Sequence, residues 1–275
     1  MMIQTDHRFR LQVRLLSEAV FSSGEKEPNL VQSKVLADPY GCVYLHAKTL
    51  KGQMKHQAFW LLKQYSLIDG ARAKRFLYSI AELFGINIWE LQKLHKEYKD
   101  IDNGNVKSLT DYISELLKGN RKLQALPGQG VMRLGHLELP EAVRSDIRKL
   151  ISEQGHGEDP TNYYSYLTRH DLIEAQTNIR VGIQLEDGIV KDKMFTSCHT
   201  VKEGLLFYAP ISLHGSVSDE LVEDLTRIVY ALKRIGSHIH RGRGEVETKF
   251  YRMKESSTMQ GGIEWDELSS RANHK

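Results

Sequence analysis

The order of apolar patterns in this 275-residue sequence predicts an α+β protein. The expected fold is a ferredoxin-like (RRM-like) βαββαβ core with a large helical insertion and a long loop after the first strand. Three observations carry that prediction. A strict two-residue alternation opens the chain, a long stretch of helical periodicity fills its middle, and strand-type runs return near residue 177 around one strongly amphipathic helix.

The first strand is "HRFRLQVRLL", with Phe9, Leu11, Val13 and Leu15 on one side and Arg8, Arg10, Gln12 and Arg14 on the other. That alternation describes a half-buried strand with a basic outer face. A polar loop over 17–41 follows, broken by Pro28, Asp38-Pro39 and Gly41. In "AKTLKGQMKHQAFWLLKQY", Leu50, Met54, Ala58, Leu61 and Leu62 recur at helical spacing. Residues 66–165 read as a mostly helical insertion: "RAKRFLYSIAELFGI", "NIWELQKLHKEY" and "LTDYISELLKG" each have an apolar face, and "ALPGQGVMRLGHLELP" adds strand character. The core resumes over 166–253 and completes the unit begun by 1–65. "AQTNIRVGIQLEDGIV" carries a hairpin signal at Asp187-Gly188, and "GLLFYAPISL" is a strand. "SDELVEDLTRIVYALKRIG" is a helix with Ser218 as N-cap, acids in its first turns and Gly236 beyond its end. "GEVETKFYRM" is the last strand, and 254–275 is a polar tail expected to lack order.

Composition excludes several classes. An apolar content of 40% builds a core, and no run approaches the roughly 20 apolar residues of a membrane helix. The N-terminal segment has no apolar h-region, so a cytoplasmic, membrane-free protein is expected. Cys42 and Cys198 match no zinc spacing, and His238-x-His240 has no companion carboxylate or Cys. No metal and no cofactor is expected. Net charge is only +3, but its distribution is uneven. From Tyr44 to Gln64, and again from Ala231 to Gly244, cations accumulate with no carboxylate among them.

The second of these segments runs into "GSHIHRGRGEVE". Gly236, Gly242 and Gly244 free the backbone for close approach, while His238, His240, Arg241 and Arg243 offer cations. Such a loop suits phosphate. It follows a helix C-terminus, where the dipole disfavours anions, so side-chain cations and loop N–H groups must supply the attraction.

"IGSHIHRGRGEVE" resembles the C-terminal glycine-rich loop of the RAMP superfamily, the CRISPR-associated proteins that bind guide RNA. "DPYGCVYLHAKTLKGQMK" is similar to that family's Asp-Pro turn and Ser/Thr-Leu-Lys-Gly helix start, with Asp38, Pro39, Thr49, Leu50, Lys51, Gly52 and Lys55 in matching positions. "EAQTNIRVGIQLEDGIVKDKMFTSCHTVKEGLLFYAPISL" resembles its hairpin and following strand. The resemblance implies a crRNA-binding subunit, placed at the 5′ handle or along the backbone of a type III or related multisubunit effector, with other effector subunits as partners. RNA contacts would come from Lys48, Thr49, Lys51, Gly52 and Lys55 on one side and from the 236–244 loop on the other. Target-cutting relatives carry an aspartate where this chain has Gln32, and Glu25 and Glu27 do not match its spacing, so the resemblance implies no catalysis here.

Two alternatives stand beside this. One is a guide-processing endoribonuclease using His46 or His240 as general base. The other is a structural assembly protein whose basic loops meet acidic partners. The Trp89-Leu91-Leu94-Tyr98 stripe reads as helix packing, while Tyr163, Tyr164 and Tyr166 suit either base stacking or anchoring.

Overall fold

The computed structural model describes residues 7–25, 33–101, 103–118, 127–153, 167–186, 189–254 and 264–269. Helices and antiparallel strands make it an α+β protein. The main sheet is built on β1 (His7–Leu15), flanked by β7 (Leu206–Leu213) and β8 (Val246–Met253). Leu11 lies opposite Ala209 and Phe250, and Val13 opposite Phe207 and Thr248, all on the buried face. The alternation read in the sequence is thus the alternation of the sheet: Phe9, Leu11, Val13 and Leu15 are buried, while Arg8 and Arg14 are exposed on the other side.

That buried face is covered by α1 (Ala47–Ile68) and α7 (Asp219–Ala231), which also contact each other. Leu50, Met54, Ala58 and Leu62 form the inner stripe of α1, and Leu221, Leu225, Ile228 and Val229 that of α7. Ser218 caps α7 by accepting from the Leu221 N–H at 3.2 Å. The helix ends four residues before Ile235, earlier than its periodicity predicts. Leu232 turns extended, and Leu232 and Ile235 still reach the core from extended chain while Lys233 and Arg234 face solvent.

The insertion supplies α2 (Gly70–Phe84), α3 (Ile88–Tyr98), α4 (Gly104–Lys118) and α5 (Glu141–Glu153). Asp69 caps α2, and Asn87 with Glu90 forms a capping box on α3. Of the aromatic stripe, Leu91, Leu94 and Tyr98 are buried, whereas Trp89 stands 77% exposed. A fully buried carboxylate, Asp224 of α7, accepts from Arg72 and Ser79 of α2 and from Arg227, locking the insertion to the core.

Two features depart from the sequence reading. The pair β5 (Thr177–Glu186) and β6 (Ile189–Val201) is a separate two-stranded ribbon, not part of the main sheet. The free edge of β7 is instead taken by β3 (Met132–Leu134) and β4 (Leu137–Glu138), inside the span read as insertion; β2 (Tyr44–Leu45) then pairs with β4. Burial explains the choice, because Met132 and Leu137 are fully buried whereas Ile179 and Val181 of the ribbon are 45% and 63% exposed. The tail is not wholly without order either: β9 (Trp265–Glu267) adds to the edge of β8.

The loop after β1 is likewise part of the packing. Ala19, Val20 and Phe21 are buried, and Ala19 exchanges two backbone bonds with Val201 at the base of the ribbon (3.1 and 2.7 Å). A short helix, α6 (Arg169–Gln176), leads into β5. None of the described helices is long and apolar enough to cross a membrane.

Candidate nucleic-acid interface

Between α7 and β8 the chain closes a narrow stem and throws out a tip. Ile235 N–H donates to the Gly244 carbonyl at 2.9 Å, and Val246 N–H to that of Lys233 at 3.0 Å. Residues 236–244 are the tip, with a 3₁₀ turn at Ile239–Arg241. Four of its residues have positive φ: Gly236, His238, Gly242 and Gly244. Two of these glycines are sterically required, since a Cβ on Gly236 would lie 2.6 Å from the Val20 carbonyl oxygen and one on Gly244 2.0 Å from that of Ile235.

The tip is held from both sides. Ser237 N–H donates to Val20 and Gly244 N–H to Glu18, each to a carbonyl of the post-β1 loop. From α1, the Gln53 amide grips Gly236, accepting from its N–H at 3.1 Å and donating to its carbonyl at 2.7 Å. The two basic segments of the sequence therefore meet, at a residue that charge reading does not single out.

Outward from this frame, Arg241 and Arg243 face the ribbon across a recess of about 230 Å³ whose walls include Ser33, Arg180, Gly182, Thr196 and Cys198. Arg243 donates to the Cys198 sulfur at 3.3 Å, and Arg241 and His240 are exposed. Arg180 is neutralised by Glu18, whose carboxylate also accepts from Asn178 and Thr200. The Arg180 hydrogen bond dominates and, against an opposing burial cost, holds the Glu18 pKa at about 2. Arg241 and Arg243 have no acidic partner among the described residues. Burial and these two arginines push the His238 pKa below its usual value, favouring a neutral imidazole beside them.

At the start of α1, Lys48, Thr49 and Gly52 are exposed. The other two lysines are committed to the fold. Lys51 donates to the Met132 carbonyl at 2.8 Å, and burial, with Arg133 and Lys55 nearby, lowers its pKa. Lys55 donates to the Gly85 carbonyl at 2.7 Å and pairs with Glu90 at 2.6 Å. The first donors of the helix are also engaged: His136 Nδ1 accepts from Ala47 N–H, and His46 Nδ1 from Lys48 N–H. His46 is thus the N-cap of α1. No cluster of three or more His, Cys, Asp or Glu poised to hold a metal occurs among the described residues. Gln32, Glu27, Tyr163, Tyr164 and Tyr166 lie outside the described residues.

Sequence reasoning missed Gln53, Glu18 and Arg180. Only Gln53 had an available signal, its place inside the Leu-Lys-Gly stretch that the resemblance marks.

No family model and no curated protein sequence matches the chain. Among solved structures, a chain from "Cryo-EM structure of the Type III-B Cmr-beta bound to cognate target RNA" superposes with a TM-score of 0.46 at 14% identity, covering 90% of this chain and 97% of that chain. A likeness of that size decides neither fold nor function.

Proposed function

We propose that this chain is a non-catalytic crRNA-binding subunit of a CRISPR RNA-guided effector complex, clamping guide phosphates between the 236–244 loop and the β5–β6 ribbon. The observation that carries the reading is the pair Arg241 and Arg243: two arginines without acid partners among the described residues, on a glycine-shaped tip fixed by Gln53, facing a recess. A guanidinium pair on a rigid frame suits phosphate oxygens. The order of the sequence resemblances supports the same reading. The strand order β8–β1–β7–β3 under α1 and α7 supports a ferredoxin-like core for this chain.

Lys48 and Thr49 extend the clamp at the exposed start of α1, with Gly52 beside them. His238 and His240 add donors at the tip, where Gly236, Gly242 and Gly244 shape the backbone. Lys51 and Lys55 act at one remove, holding β3 and the α2–α3 turn in place. Gln32, in the position of the family's cutting aspartate, makes the chain a binder and not a nuclease. Its partners are the crRNA and neighbouring effector subunits in the cytoplasm.

The test is purification of the chain together with the products of its genomic neighbours. A discrete small RNA that accompanies the wild type and is lost with Arg241→Glu/Arg243→Glu supports the proposal. An RNA-free complex, or one that keeps its RNA in the double variant, contradicts it.

A further inference from the structure

Unpaired cations also gather on the face of the main sheet that α1 and α7 leave open. Arg10, in the middle of β1, projects there among three aromatic rings. Its guanidinium carbon lies 4.4 Å from the ring centre of Trp265, 4.9 Å from Tyr208 and 5.6 Å from Tyr251. Its Nε is buried without a hydrogen-bond partner, and no described residue supplies Arg10 with an ion pair or hydrogen bond. A donor stripped of water and left unmatched inside a protein is costly, and the cost is recovered when a ligand accepts from it.

A recess of about 500 Å³ opens beside Arg10, walled by Tyr208, Pro210 and Trp265 and, at the start of α5, by Pro140. Glu138 and Glu141 also line it, and Arg144 is paired to both. These walls discriminate between ligands. With Glu138 and Glu141 set against Arg10 and Arg144, the recess has no net positive charge to favour a phosphate or an acidic side chain. A neutral planar base meets apolar walls and a guanidinium edge. Guanine fits best, because O6 and N7 form the paired acceptor edge that arginine takes bidentately, while its amino group is a donor that a glutamate accepts. Outside the recess, Arg8 and Arg133 are exposed, lie opposite Ser212 from its two neighbouring strands, and have no ion-pair partner among the described residues. They are placed for the flanking phosphates of a single strand lying over aromatic side chains.

We propose that the open face of the sheet is a second single-stranded nucleic-acid site, in which Arg10, held among Tyr208, Tyr251 and Trp265, takes the O6/N7 edge of a guanine. The site is separate from the glycine-rich loop and does not depend on it.

Trp60 and Trp89 are both exposed, so Trp60→Phe/Trp89→Phe leaves Trp265 as the one tryptophan in the full chain, read by its own emission. In that background r(UGU) should quench Trp265 and bind about tenfold tighter than r(UUU). Arg10→Gln should abolish that preference. Arg8→Gln/Arg133→Gln, at exposed positions where folding is not at issue, should weaken both trinucleotides together and leave the preference intact. Arg241→Glu/Arg243→Glu should change neither result, which separates this site from the loop. Equal binding of the two trinucleotides, no quenching, or quenching by hexaglutamate in place of RNA would overturn the proposal; the last would make the face a docking surface for an acidic protein.

Discussion

Gln53 on α1 holds Gly236 through both ends of its side-chain amide, 183 positions apart in the chain. That pair of hydrogen bonds fixes the loop whose Arg241 and Arg243 have no acidic partner among the described residues. The first prediction follows. Gln53→Ala should cost about 1–2 kcal/mol of stability, since it removes two bonds and leaves part-buried backbone groups unmatched. RNA affinity should fall with it, while its salt dependence stays unchanged, because no charge is lost. Paired thermal melts and binding titrations at several salt concentrations check both parts.

The glycines of the tip should not be equivalent. Gly244→Ala and Gly236→Ala place a methyl group against a carbonyl oxygen as well as at positive φ, whereas Gly242→Ala meets nothing within 4 Å. Urea denaturation should rank the losses Gly244 and Gly236 well above Gly242, with Gly242→Ala costing about 1 kcal/mol from backbone strain alone.

The bond between the loop and the ribbon has a pH signature. Glu18 falls from its ordinary 4.5 to about 2, chiefly through Arg180. A depressed carboxylate stabilises the folded state fully above its unfolded pKa and loses that contribution as pH falls through the folded one. Wild type should therefore exceed Glu18→Gln in stability by a constant margin above about pH 5. The margin should shrink between 4.5 and 2. A margin that does not change with pH across that window would contradict the assignment.

The lock between insertion and core is more sensitive. Asp224 is fully buried and accepts from Arg72, Ser79 and Arg227. Asp224→Ala removes the buried acceptor that Arg72 and Arg227 share and leaves them only the exposed Glu220 and Glu223, so a loss of about 3 kcal/mol is expected from chemical denaturation. Arg227→Ala, at a more exposed partner, should cost less.

How far the sequence could be read depends on whether the determinant was local. The alternation of β1, the stripe of α1 and the Ser218 cap are short-range, and each appears where the residues put it. The end of α7 was misread because Lys233, Arg234 and Gly236 imitate a helix terminus, while the real stop comes from Ile235 bonding to Gly244 across the loop. The ribbon was misplaced because its strand pattern is as good as that of β3 and β4, and only burial against β7 separates them. Charge could be counted along α1, but not the carbonyls of Met132 and Gly85 that occupy Lys51 and Lys55. Arg10 was seen as a basic outer residue; the three rings around it come from β7, β8 and β9, far along the chain.

The central claim is that Arg241 and Arg243 neutralise RNA phosphates. Its most direct test is the slope of log affinity against log salt for single-stranded guide RNA, wild type against Arg241→Glu/Arg243→Glu. Two phosphate contacts on a single strand should contribute about 1.4 to that slope, so the double variant should bind more weakly and with a slope flatter by at least that amount. An unchanged slope in a folded double variant would contradict the claim.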